Sequence, residues 1–111
     1  GIARSRLIEA NGVPNELAFV GGGNMFAVVV DKLPYIARLD GIAMKVKTVT
    51  GDVMDMRFEL GPELTQVFTD SEKGRINRFE LRGTQLVMHV RVHAQVLPRE
   101  LLYSLTYERA S

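Results

Sequence analysis

The chain has 111 residues, 46% of them hydrophobic, with 14 basic and 13 acidic side chains for a net charge of +1. That length makes a single domain over 1–111 the expectation and limits the core it can bury. The near-neutral charge excludes a polybasic tail but not a local basic patch. The lack of Cys excludes disulfides and any Cys-based nucleophile or metal site.

Residues 1–16 read as an arm or short helix ahead of the main body. Arg4, Arg6 and Glu9 break any signal-peptide pattern there, and no apolar run approaches the ~20 residues of a membrane span. The expectation is a chain that is not secreted and has no membrane partner. Asn11–Asn15 is a loop by its turn residues. Leu17–Val20 and Met25–Val30 read as strands joined by Gly21–Asn24, where Gly and Asn tolerate the positive φ of a tight hairpin. Asp31–Pro34 breaks the second strand, and Tyr35–Leu39 is a short strand or a turn of helix.

Ile42–Val49 and Val53–Leu60 both alternate, with Thr50–Asp52 as the turn between them. Thr65–Thr69 is a further strand segment, and Asp70–Gly74 a polar loop. Arg75–Leu81 leads through Arg82–Thr84 into Leu86–Val96, the longest alternating run in the chain. Leu97–Pro98 stops it. Arg99–Glu108 fits a helix through Leu101, Leu102 and Leu105, and a strand through Leu101, Tyr103, Leu105 and Tyr107. The reading favours a helix over 97–111, started by Pro98.

The fold class that follows is mainly β (α+β): an antiparallel meander sheet of five to seven strands over 17–96, built from hairpins, with a short C-terminal helix. Alternation divides this sheet into two faces. One carries Met44, Val46, Met54, Met56, Phe58, Met88, Val90 and Val92. The other carries Lys45, Lys47, Arg57, His89, Arg91, His93 and Gln95, with Asp55 and Glu59 among them. One short helix is too narrow to cover the apolar face. Either the sheet curls into a barrel or sandwich, or a second copy supplies the cover. The hydrophobic fraction favours the second copy.

No motif for catalysis or a cofactor stands out, so no enzyme and no cofactor is expected. His89 and His93 lie ~13 Å apart along a strand, too far to share a metal. Asp55 and Glu59 read as sheet-face charges beside Lys45, Lys47 and Arg57. The five Met residues read as core filling. Gly21–Asn24 lacks the Lys-Ser/Thr of a phosphate loop.

The order of hairpin (Leu17–Val30), meander (Ile42–Val49, Val53–Leu60, Arg75–Leu81, Leu86–Val96) and helix (Arg99–Glu108) resembles the coat proteins of single-stranded RNA bacteriophages. The resemblance implies a self-assembling virion coat or assembly subunit, a homodimer or larger assembly, in a virion or the cytoplasm. In that family the uncovered sheet face looks inward at RNA. By resemblance Lys45, Lys47, Arg57, His89 and Arg91 would be the phosphate contacts here. The alternative rests on Phe19–Phe26. This glycine-rich hairpin resembles the palm-like domain of the large subunit of type III CRISPR complexes and implies nucleotide or nucleic-acid binding at Gly21–Asn24.

Overall fold

The structure is a computed structural model that describes residues 2–9, 16–48 and 51–109. The loop expected at Asn11–Asn15, and Thr50 of the expected Thr50–Asp52 turn, lie outside the described residues. Among the described residues the chain forms ten strands: β1 (Ile2–Glu9), β2 (Glu16–Gly22), β3 (Met25–Val30), β4 (Leu33–Arg38), β5 (Met44–Lys47), β6 (Val53–Leu60), β7 (Leu64–Thr69), β8 (Lys73–Arg82), β9 (Gln85–Ala94) and β10 (Leu101–Arg109). They make one sheet in the order β4-β3-β2-β1-β10-β9-β8-β7-β6-β5, every neighbouring pair antiparallel. It is an up-and-down meander whose first strand returns to pair with its last, Glu9 opposite Tyr107.

The sheet curls on itself, so the chain takes the first of the two solutions open to its apolar face. Strands β4 and β5 complete the circuit through side chains. Among the described residues no backbone ladder joins them. Alternation builds the wall. Leu17, Val28, Tyr35, Ala37, Met54, Met56, Phe58, Phe68, Phe79, Leu86, Met88, Val90 and Tyr107 share one buried cluster. Three edge-to-face ring pairs cross the interior between strands that are not neighbours in the sheet. Phe19 on β2 meets Phe79 on β8 at 5.2 Å, Phe26 on β3 meets Phe58 on β6 at 5.5 Å, and Tyr35 on β4 meets Phe68 on β7 at 5.2 Å. Such pairs contribute about 0.5–1.5 kcal/mol each beyond the area they bury.

Two expectations are corrected. The segment read as a C-terminal helix is β10. It pairs with β9 from Leu101 opposite Val92 to Glu108 opposite Gln85, and Tyr107 is fully buried. The alternating reading prevails over the helical one because β9 and β1 offer ladders on both edges of this segment, and a helix would leave both open. The sheet also has ten strands instead of five to seven, because the N-terminal segment, Leu33–Arg38 and β10 all join it. A two-residue turn connects β3 to β4. Asp31 (φ 47°) and Lys32 (φ 72°) both take left-handed backbone, as a type I′ hairpin requires. Asp31 secures the turn by accepting from the Glu16 backbone N–H at 2.8 Å.

Candidate ligand-binding interior

In a meander, successive turns alternate between the two ends of the barrel. The β2–β3, β6–β7 and β8–β9 turns stand at one end, and the β3–β4, β5–β6 and β7–β8 turns at the other. Strand β8 runs the length of the interior and shows how its chemistry changes. From the first end to the second, its inward parity reads Leu81, Phe79, Asn77, Arg75 and Lys73.

The first end is apolar. Phe19, Leu64, Phe79, Leu81 and Leu86, with the Pro62–Glu63 and Gly83–Thr84 turns, surround an open cavity of about 700 Å³. That falls in the ~300–1,000 Å³ range of small-molecule sites, which are mostly apolar with a few placed polar groups. Leu81 is 77% exposed and Leu60 68% exposed at this rim, so large apolar side chains stay uncovered there.

Midway the interior turns polar. Gln66 and Asn77 sit opposite one another on β7 and β8 and are almost fully buried. Asn77 Nδ2 donates to Gln66 Oε1 at 3.0 Å, and the Gln66 amide nitrogen donates to Met56 Sδ at 3.3 Å. One layer further, half-buried Arg75 donates from Nε to Asn77 Oδ1 at 2.8 Å. Its register neighbours are Phe68 and Val92. A guanidinium carries five N–H donors in a planar fork. Among the described residues this one has an amide oxygen for a partner and no carboxylate. Lys73, at the far rim, differs: its ammonium is hydrogen-bonded to Asp52, which raises its pKa above the ordinary lysine value.

The residues expected to contact phosphate stand on the outer face of the same wall. The alternation was read with the correct parity, but among the described residues each of these cations except Lys47 has an acidic neighbour. Lys45 pairs with Asp55 at 2.7 Å, Arg57 with Glu59 at 2.9 Å and Arg91 with Glu100 at 3.4 Å. His89 Nε2 lies 2.7 Å from Glu80 Oε1, and its Nδ1 lies 2.9 Å from the Ser104 hydroxyl. Hydrogen bonds from Arg82, and then from His89, hold the Glu80 carboxyl down at about 2. A carboxylate so stabilised only accepts, so His89 donates to it from Nε2. The outer face is thus a lattice of compensated charge. Sequence reasoning assigned no role to Arg75, Asn77 or Gln66. Their signal is parity: Gln66 falls between Leu64 and Phe68, and Arg75 and Asn77 share a face with Phe79.

No protein-family model matches the chain. No curated protein matches it either. Among solved structures it is similar to a Schistosoma mansoni fatty acid binding protein in complex with arachidonic acid. The TM-score is 0.70 at 16% identity, covering 98% of this chain and 95% of that one. The two share a fold, an antiparallel barrel. This overturns the phage-coat resemblance, and with it the virion coat or capsid role, the RNA partner and the self-assembly expected from it. The physical reason lies in the wall. The apolar face that needed a second copy is covered by the chain's own β2, β3 and β4, through Phe19, Phe26 and Tyr35. The palm-like alternative falls too, because Gly21–Asn24 belongs to a hairpin held in the barrel between β1 and β4.

Proposed function

We propose that the chain is a non-catalytic carrier that holds an elongated amphiphile, an apolar tail with a carboxylate head, inside the barrel. The observation that carries this reading is Arg75, a half-buried guanidinium on the inner face that, among the described residues, has only an amide to bind. Its free fork matches a carboxylate in a two-point hydrogen bond. From Arg75 to the apolar rim at Leu81 is six residues of strand, roughly 20 Å, comparable to the length of a long alkyl chain. The fold it shares with a protein solved around arachidonic acid supports the same class of ligand. The reading keeps the cytoplasmic setting and drops the virion.

The ring pairs that cross the interior stand in for the tail when no ligand is bound. Admission of a ligand then means parting Tyr35 from Phe68 and Phe26 from Phe58. These lie on the side of the barrel where β4 and β5 share no ladder, so the wall opens there with no backbone hydrogen bond lost. The test is displacement of a fluorescent long-chain acid by octadecanoic acid and by octadecanol. Displacement by the acid at concentrations at least tenfold lower than by the alcohol is expected. Failure of any long-chain acid to bind would end the carrier reading.

A further inference from the structure

Building on that carrier reading, we propose that the preferred acid bears a second oxygen part-way along its chain, a hydroxyl, keto or epoxide group, and that the Gln66 side-chain amide receives it. Gln66 is 1% exposed, in the middle of the interior, beside Phe58 in the register. A buried amide costs free energy unless it is hydrogen-bonded. Its carbonyl oxygen is well served by Asn77, but its nitrogen donates to the Met56 thioether. A thioether sulfur is a weak acceptor. A leucine would fill the same space beside Phe58 and Phe68 without that cost, so the position holds donor capacity that the free protein uses poorly.

Geometry sets where the ligand oxygen must fall. Gln66 faces Asn77 across the ladder, and Asn77 is two residues along β8 from Arg75. Arg75 Nε is linked to the Gln66 amide through Asn77, by hydrogen bonds of 2.8 and 3.0 Å, and the two residues stand one layer, ~7 Å, apart in the backbone register. An acid whose carboxylate sits on Arg75 passes the Gln66 nitrogen about that far along its chain. An oxygen there displaces the Met56 sulfur and exchanges a weak acceptor for a strong one. Because the sulfur already satisfies part of the donor, the gain is a preference, not an absolute requirement: about three- to tenfold, the scale of one net hydrogen bond.

The experiment titrates the full chain with octadecanoic acid, 6-hydroxyoctadecanoic acid and 17-hydroxyoctadecanoic acid. The 6-hydroxy acid is expected to bind about three- to tenfold tighter than the plain acid, and the 17-hydroxy acid no tighter. Gln66→Leu should erase the difference between the plain and the 6-hydroxy acid. Met56→Leu, a volume-conserving change, removes the competing sulfur and should widen the difference, so the proposal stays testable if Gln66→Leu folds poorly. Equal affinity of the wild type for the plain and 6-hydroxy acids would overturn this inference alone. Binding of none of the three would overturn it together with the carrier reading.

Discussion

Arg75 and the outer cations of the same wall are treated in opposite ways. On the outside, Lys45, Arg57, Arg78, Arg82 and Arg91 each meet a carboxylate. On the inside, Arg75 meets an amide. Exposed pairs contribute roughly 0–1 kcal/mol each, so the outer charges keep the wall wet and its neighbours in register without defining a site. A half-buried cation whose fork is mostly unused is costly in a ligand-free interior and becomes an asset when an anion arrives. On the carrier reading, Arg75 stands out by lacking a counter-charge inside the barrel, not by clustering with other cations.

The sharpest contrast in stability lies between Phe58 and its sequence neighbour Arg57, which point to opposite faces. Phe58→Ala opens a cavity beside Phe26 and is expected to lower stability by about 3–5 kcal/mol; Arg57→Ala should cost under about 1 kcal/mol. Urea melts of the two variants measure both. Comparable losses would mean that the faces are not as described.

The outer lattice should show its worth in acid. Glu80 is held at about 2 against an ordinary 4.5. A carboxyl depressed on folding adds stability that is fully present above its unfolded pKa and is lost as pH falls toward its folded one. The window is therefore pH 4.5 down to about 2. Glu80→Gln should flatten the fall of melting temperature across that window and leave its shape near neutrality unchanged. An unaltered acid limb would show that Arg82 and His89 do not stabilise this carboxylate. A smaller gain is expected at the β3–β4 turn. Lys32 holds left-handed backbone without being Gly, and Lys32→Gly should raise stability by about 0.5–1 kcal/mol. A loss instead would mean that the lysine side chain contributes more than its backbone strain costs. Lys45→Ala, the least of these changes, should shift stability by no more than about 0.5 kcal/mol.

Much of the wall was legible in the sequence. Alternation placed Met54, Met56, Phe58, Met88 and Val90 on the buried face and Lys45, Arg57, His89 and Arg91 on the other. What misled was the C-terminal segment. Leu101, Leu102 and Leu105 suit a helix while Tyr103 and Tyr107 suit a strand, and only the ladders supplied by β9 and β1 decide between them. Reading that segment as a helix left the sheet open and its apolar face in need of a partner, and the coat-protein layout followed. The interior site was hidden for a different reason. A Gln, an Asn and an Arg on an inward parity look like ordinary strand residues until closure of the barrel turns them toward its interior. The paired basic face, by contrast, looked functional because Glu80 and Glu100, the partners of His89 and Arg91, come from β8 and from the loop before β10.

The central claim is that Arg75, and not the outer cations, meets the ligand's head group. Calorimetric titration of a long-chain acid into wild type, Arg75→Gln and Arg91→Gln tests it most directly. A charge-assisted hydrogen bond contributes about 1.5–3 kcal/mol, so Arg75→Gln should weaken binding by roughly ten- to a hundredfold and Arg91→Gln should leave it unchanged. If instead Arg91→Gln weakens binding and Arg75→Gln does not, the acid is held on the outside of the wall and the account is contradicted.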